Sequence, residues 1–181
     1  DGLTYTFHLR EGVKFHDGSD FNAEAVKFTF ERMLKEDHPY AKTGPFPLAF
    51  FFSSVKSVEA PDAKTAVFTL SEPFAPFLAN LATPTGYIVS PAAVAQHGAD
   101  FGRNPSGTGP FRFKEWRANE MVAIEKNAEY WDGPAASEAI VFRPITDANT
   151  RTAEMLAGGL DIMVEVPPVS LSQFRTDAYH I

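Results

Sequence analysis

Two hydrophobic periods alternate along the chain, and this alternation limits the folds that it can adopt. Apolar side chains occupy every second position at 4–9, which is the period of a half-buried strand. From residue 23 they recur at helical spacing, which predicts a helix over 23–35 with Asp20 or Asn22 as its N-cap. Because both periods return in the second half of the chain, we expect an α/β fold of the mixed α+β kind.

The other predicted elements follow from the same periods together with turn and cap residues. Strand patterns lie at 13–16, 55–59, 66–70, 111–116, 121–126, 139–145 and 161–164. Short helices are predicted at 76–81, at 91–98 after the cap Ser90, and from the cap Asp147 to Leu156. The segment 37–54 has no clean period, so we expect a long loop or a short irregular helix there.

Charge and composition exclude several classes of protein. The chain has 16 basic and 23 acidic residues, a net charge of -7, and its basic residues are scattered. We therefore expect no binding to nucleic acid or to an anionic membrane surface, since both require a cationic patch. Cysteine is absent, which excludes disulfides and thiolate chemistry. The most apolar stretch, 46–52, is far too short to span a bilayer.

No pattern for catalysis or metal binding stands out. The five histidines do not share the spacing of a metal site; they are His8, His16, His38, His97 and His180. The segment 106–109 lacks the G-x-S-x-G pattern of a serine hydrolase, and Pro110 interrupts the N–H groups that a phosphate cradle needs. We predict no catalytic residues, no metal site and no cofactor, and hence not an enzyme.

Six segments in one order carry a resemblance to a known family. They read LTYTFHLREGVKFHDG at 3–18, FNAEAVKF at 21–28, PFAPFL at 73–78, PSGTGPF at 105–111, NAEYW at 127–131, and TR with GLDI at 150–151 and 159–162. In these motifs the chain resembles the family 5 solute-binding proteins of ABC transporters, which bind peptides, glutathione or nickel. The motifs lie in turns and at helix starts, so they identify the scaffold without identifying the ligand.

The resemblance implies part of a bilobal periplasmic binding protein of type II. Residues 1–106 would form the small α+β domain specific to the family, and residues 107–181 part of the first main lobe. Family members are longer on both sides, and this chain enters a strand pattern without an initiator Met. We therefore expect a fragment in which the second lobe is absent. Exposed apolar surface at the cut would favour self-association of the fragment.

The function implied by the resemblance is capture of a peptide-like solute in an interdomain cleft and its delivery to ABC transporter permease subunits. Segments 90–94, 143–151 and 167–168 look most similar to the glutathione and dipeptide binders. The expected location is periplasmic, or extracytoplasmic as a membrane-anchored lipoprotein. Alternatives on the same scaffold are a nickel chelate, an oligosaccharide, or the ligand-sensing domain of a transcriptional regulator.

The loop after the helix at 76–81 provides the candidate ligand-binding residues. Nickel binders of the family carry an Arg in this loop, whereas here it reads ATPTGY at 82–87. The candidates are Thr85, Gly86 and Tyr87, with Phe50 and Phe51 behind them. A packing role for Tyr87, a turn-capping role for Thr85 and a core position for the phenylalanines are the alternatives.

Overall fold

The computed structural model describes residues 2–176 and 178–179, so His180 lies outside the described residues. The chain divides into two compact units. The first consists of Asp1–Trp116 and Ala123–Val141, and the second of Arg117–Val122 and Phe142–Ile181. The predicted division at residue 106 concerns the domains of the whole protein, and it stays a prediction.

An antiparallel three-stranded sheet forms one side of the core in the first unit. Its strands are β1 (Thr4–His8), β2 (Val55–Asp62) and β3 (Thr65–Leu70), in the order β1-β3-β2. Phe68 of the central strand faces Tyr5 on one side and Val58 on the other. Its alternate residues are buried, as the period of two predicts. The β2–β3 turn is shorter than predicted, and Pro61 lies in β2 where the register shifts.

Helix α1 (Ala23–Leu34) packs its apolar face against this sheet. Asn22 caps it by accepting a hydrogen bond from the Ala25 N–H at 3.0 Å, which satisfies one of the free donors of the first turn. Phe30 lies at the centre of the core, with its ring 5.0 Å from that of Phe52 and 4.9 Å from that of Phe68, both edge-on. This edge-to-face geometry is the one that aromatic quadrupoles favour.

Two short helices complete this part of the first unit. Helix α2 (Phe77–Leu81) buries Phe77 in the same core. Helix α3 (Pro91–His97) begins as predicted, with Ser90 accepting from the Ala93 N–H at 3.1 Å and Pro91 at the first helical position. The segment predicted as irregular contains two 3₁₀ helices, Ala41–Thr43 and Ala49–Phe52, joined by a proline-rich loop.

A second three-stranded sheet follows, in the order β4-β5-β6. Its strands are β4 (Phe111–Arg117), β5 (Met121–Lys126) and β6 (Ala139–Phe142). Asn119 adopts a positive φ of 62° in the turn between the first two, a conformation that Asn tolerates better than most residues. Strand β6 is shorter than predicted because Pro144 follows it. A proline restricts the backbone dihedral angles of the residue before it, and it has no N–H to donate to a neighbouring strand.

The second unit contains helix α4 (Ala148–Leu156) and the short helix α5 (Leu171–Phe174). Asp147 caps α4 by accepting from the Thr150 N–H at 2.7 Å, as the sequence predicts. Across the part of the chain that the structure describes, the longest helix has 12 residues, and none is long and apolar enough to cross a membrane.

Two predicted strands are wrong. Residues 13–16 form only an isolated bridge between Lys14 and Asp20. Residues 161–164 are irregular, with Ile162 and Val164 exposed to 80% and 76%. Neither segment pairs with a neighbouring strand in the described residues. A local alternation of side chains therefore did not become a strand, because a strand needs a partner as well as a pattern.

Candidate functional site

A groove of about 730 Å³ lies in the first unit, beside the C-terminal half of α1. Three other segments line it: the loop 42–48, Pro84 and Thr85 of the 3₁₀ turn Pro84–Gly86 with the residues after that turn, and part of the 3₁₀ helix Gly98–Arg103. Its volume is within the range of small-molecule sites, which run from about 300 to about 1,000 Å³.

The walls of the groove are mainly apolar. They include Met33, Phe46, Leu48, Val89 and Phe101. Phe46 has a φ of 38°, an unusual value for a bulky residue, so its backbone is held in a strained conformation. Gly44 makes room for the ring: a Cβ at that position would be 3.0 Å from the Phe46 ring. Strain of this kind is common where a loop presents a side chain to a ligand.

Arg32 is the charged residue at the base of the groove. Its side chain is largely hidden, since the residue is only 6% exposed. One guanidinium nitrogen, Nη1, donates to Thr43 Oγ1 at 3.2 Å. The guanidinium carbon lies 5.0 Å from the centroid of the Phe46 ring and 5.4 Å from that of Phe101, within cation–π range. Burial lowers the pKa of the Arg32 guanidinium below its ordinary value.

Sequence reasoning missed Arg32, although a signal was available. The predicted apolar face of α1 accounts for Ala23, Val26 and Phe30, and Arg32 was not among the predicted site residues. Yet Ala25, Thr29 and Arg32 recur at the i, i+4, i+7 spacing of a second helix face, and all are buried. Because Ala25 and Thr29 share a helix face with Arg32, their small size and lack of charge could have indicated that this face is covered by other parts of the chain.

The structure brings together two of the five predicted ligand-binding residues. Thr85 and Tyr87 line the groove, and Tyr87 is 62% exposed. Gly86 lies between them but is buried, and it is not part of the groove wall. Phe50 and Phe51 contact each other, with ring centroids 4.6 Å apart, outside the groove. Phe50 is exposed, while Phe51 packs against the core. Ligand binding by these five residues stays a prediction.

A polar cluster, separate from the groove, joins the turn after residue 15 to the segment 106–109. The His16 ring accepts from the Gly107 N–H at 3.3 Å through Nδ1 and lies 3.0 Å from the Gly109 carbonyl through Nε2. The Asp17 N–H donates to Ser106 Oγ at 3.2 Å. The buried Ser90 hydroxyl donates to the Asp17 carboxylate. These hydrogen bonds hold two distant segments of the chain together, and both ring nitrogens of His16 are used for backbone contacts.

Asp17 is ionised more readily than an ordinary aspartate in this cluster. Burial opposes its ionisation, but hydrogen bonds from the Ser19 and Ser90 hydroxyls and from the Ser19 N–H favour the charged form and lower its pKa from 3.8. The cluster therefore depends on a carboxylate. Among the described residues, no group of three or more His, Asp or Glu side chains could hold a metal ion.

Comparison with known proteins identifies the scaffold. The family model for bacterial extracellular solute-binding proteins, family 5 Middle, matches residues 1–180. The chain belongs to this family. The glutathione-binding protein GsiB of Pectobacterium atrosepticum is 40% identical to this family 5 chain over 168 residues, which are 92% of the chain and 32% of that protein. The chain thus spans about a third of the length of the curated relative.

Solved structures of similar proteins share the fold. HbpA2 from Haemophilus parasuis has a TM-score of 0.87 and 33% identity, and the match covers 97% of the family 5 chain and 38% of HbpA2. The periplasmic binding protein DppA from Helicobacter pylori, solved with the peptide STSA, has a TM-score of 0.85 and 34% identity, with 96% and 37% coverage. The expected α/β fold, as part of a type II periplasmic binding protein, is confirmed.

The turn that presents Thr85 and Tyr87 depends on the absence of a side chain at Gly86. A Cβ there would lie 2.4 Å from the Leu81 carbonyl oxygen. We predict that Gly86→Ala destabilises the chain by about 1–3 kcal/mol, because the backbone must move to relieve the overlap. Gly102→Ala is the matched control, since its Cβ would meet nothing within 4 Å. Urea denaturation followed by circular dichroism measures both; equal midpoints for the two variants would refute this reading of Gly86.

The lowered pKa of Asp17 gives a pH dependence with a defined sign. Between the folded-state pKa and 3.8 the unfolded chain binds more protons, so stability rises with pH there and is lost as pH falls through the folded-state pKa. We predict that Asp17→Asn lowers the melting temperature at pH 7 and weakens its decline below about pH 4. Asp20→Asn, which removes an exposed carboxylate paired with Lys14, is the control. The prediction would be contradicted if the melting temperature fell equally with falling pH in the wild type and in Asp17→Asn.

Proposed function

We propose that the protein containing this chain is the substrate-binding component of an ABC importer. It captures a peptide-like solute in an interdomain cleft and delivers it to the membrane permease. The observation that carries the proposal is the family 5 match over residues 1–180, which covers both units of the chain. The family is described as extracellular, and in this proposal the protein acts in the periplasm or as an extracytoplasmic, membrane-anchored lipoprotein.

The solute class in this proposal is a dipeptide, an oligopeptide or glutathione. A relative named for glutathione binding and a structural neighbour solved with a peptide support it. The groove adds chemical support, because apolar walls with one buried cation suit a small organic solute with an anionic group. Thr85 and Tyr87 contact the solute in this proposal, and catalysis plays no part.

The domain organisation of the protein is also part of the proposal. Residues 1–106 form the small family-specific domain, and residues 107–181 begin the first main lobe. The hydrogen bonds of His16 to Gly107 and Gly109 cross this boundary, so they would fix one domain on the other. The second lobe of the whole protein would then close the cleft.

A thermal-shift screen of the full-length protein tests the proposal. A ligand that binds only the folded state stabilises it by about 2.7 kcal/mol when present at 100 times its Kd, so the melting temperature should rise with dipeptides, tripeptides or glutathione. The chain of 181 residues, screened in parallel, shows how much binding it retains alone.

Nickel–histidine and oligosaccharides are the comparison ligands in the same screen. A rise with one of these and none with peptides or glutathione would overturn the proposed solute class. No rise with any of the ligands would count against the importer function itself.

A further inference from the structure

Arg32 is a buried cation without an anionic partner. Exposed basic residues of the first unit form ion pairs, such as Lys14 with Asp20 and Arg112 with Glu125. Among the described residues no carboxylate lies within ion-pair distance of Arg32, which is 6% exposed. Its Nε is buried and has no hydrogen-bond acceptor, and its hydrogen bond to Thr43 Oγ1 uses Nη1 alone.

This arrangement is energetically unfavourable in the free protein. A guanidinium removed from water loses its hydration, and it stays charged because its pKa, though lowered by burial, begins far above neutrality. The rings of Phe46 and Phe101 offset part of that loss. A carboxylate would offset more, because its two oxygens match the donors of a guanidinium.

The rest of the groove favours an anion with an apolar body. None of the described residues that line it is acidic, whereas Lys42 provides a second, exposed cation at its edge. This is a local excess of positive charge in a chain whose net charge is -7. The remaining walls are largely proline, aliphatic and aromatic side chains, which bind apolar groups.

We propose that the groove binds a small carboxylate with an apolar or aromatic body, and that Arg32 receives the carboxylate. The body of the ligand packs between Phe46, Leu48 and Tyr87, and Lys42 attracts the anion from the edge. Binding supplies Arg32 with the counter-ion that the protein itself does not. The proposal that such a compound is also the transported solute rests on the proposed function. The proposal of the site itself does not.

Isothermal titration calorimetry on the full-length protein tests the site with two matched probes. The probes are 3-phenylpropanoate and its neutral amide, 3-phenylpropanamide. We expect the acid to bind at least about tenfold more tightly than the amide, because only the acid pairs with the guanidinium. Equal binding of the two probes, or no binding of the acid, would overturn the proposal.

Substitutions then locate the effect. Arg32→Met should weaken binding of the acid by about tenfold or more and remove the preference for acid over amide. Lys35→Met is the control: it removes an exposed cation at the end of the same helix that does not line the groove, and it should leave that preference in place. An Arg32→Met protein that is folded and still prefers the acid would show that Arg32 only ties α1 to its loop, and the inference would fail.

Arg32 also packs against two rings, so its removal could unfold the protein. A crystal structure of the wild type with 3-phenylpropanoate then decides. A carboxylate oxygen about 3 Å from a guanidinium nitrogen of Arg32 supports the site, and a probe bound elsewhere overturns it. The peptide screen tests the importer function separately. If peptides bind but 3-phenylpropanoate does not bind at Arg32, the site is refuted and the importer function is not. If 3-phenylpropanoate binds at Arg32 but peptides do not bind, the proposed solute class is refuted and the site is not.

Discussion

The edge-on packing of Phe30 against Phe52 and Phe68 is the interaction on which the first unit depends. It joins helix α1, the 3₁₀ helix before β2 and the central strand in one contact. Phe77 of α2 packs on the same cluster, 5.4 Å from the Phe68 ring. Four segments far apart in sequence are thus fixed by a few aromatic rings, each of which buries a large apolar area.

Fixing α1 in this way also fixes its other face. Thr29 lies beside Phe30 on the helix and points away from the sheet, where its hydroxyl donates to the Ala25 carbonyl and accepts from the Val89 N–H at 3.2 Å. One turn further along, Arg32 reaches the groove. The same helix therefore builds the core with one face and a binding surface with the next, so the position of the candidate site follows from the packing of the core.

Local signals predicted much of this fold. The caps Asn22, Ser90 and Asp147 each precede a helix that begins at the next residue, because capping depends on a few neighbouring residues. The strand pattern at 161–164 failed because pairing depends on a partner that local sequence does not provide. The family resemblance, carried by motifs spread along the chain, is confirmed.

The candidate site was harder to predict, for the same physical reason. Thr85 and Tyr87 lie in the groove, but Arg32, the loop 42–48 and Phe101 meet them only in the folded chain. Arg32 was not among the predicted site residues, because the rings of Phe46 and Phe101 that pack against it meet it only in the folded chain. Periodicity and residue spacing report only on neighbouring residues, so they do not predict a site whose residues lie tens of positions apart in sequence.

Hydrogen–deuterium exchange on the full-length protein, with and without a bound peptide or glutathione, tests most directly whether the groove takes part in solute binding. Backbone amides of the loop 42–48 and of 84–89 should exchange more slowly in the complex, because the ligand would cover them and restrain their opening. The β2–β3 hairpin, whose core strand is already buried, should be unchanged. Unchanged exchange at 42–48 and 84–89, with protection confined to other regions, would contradict a binding role for this groove.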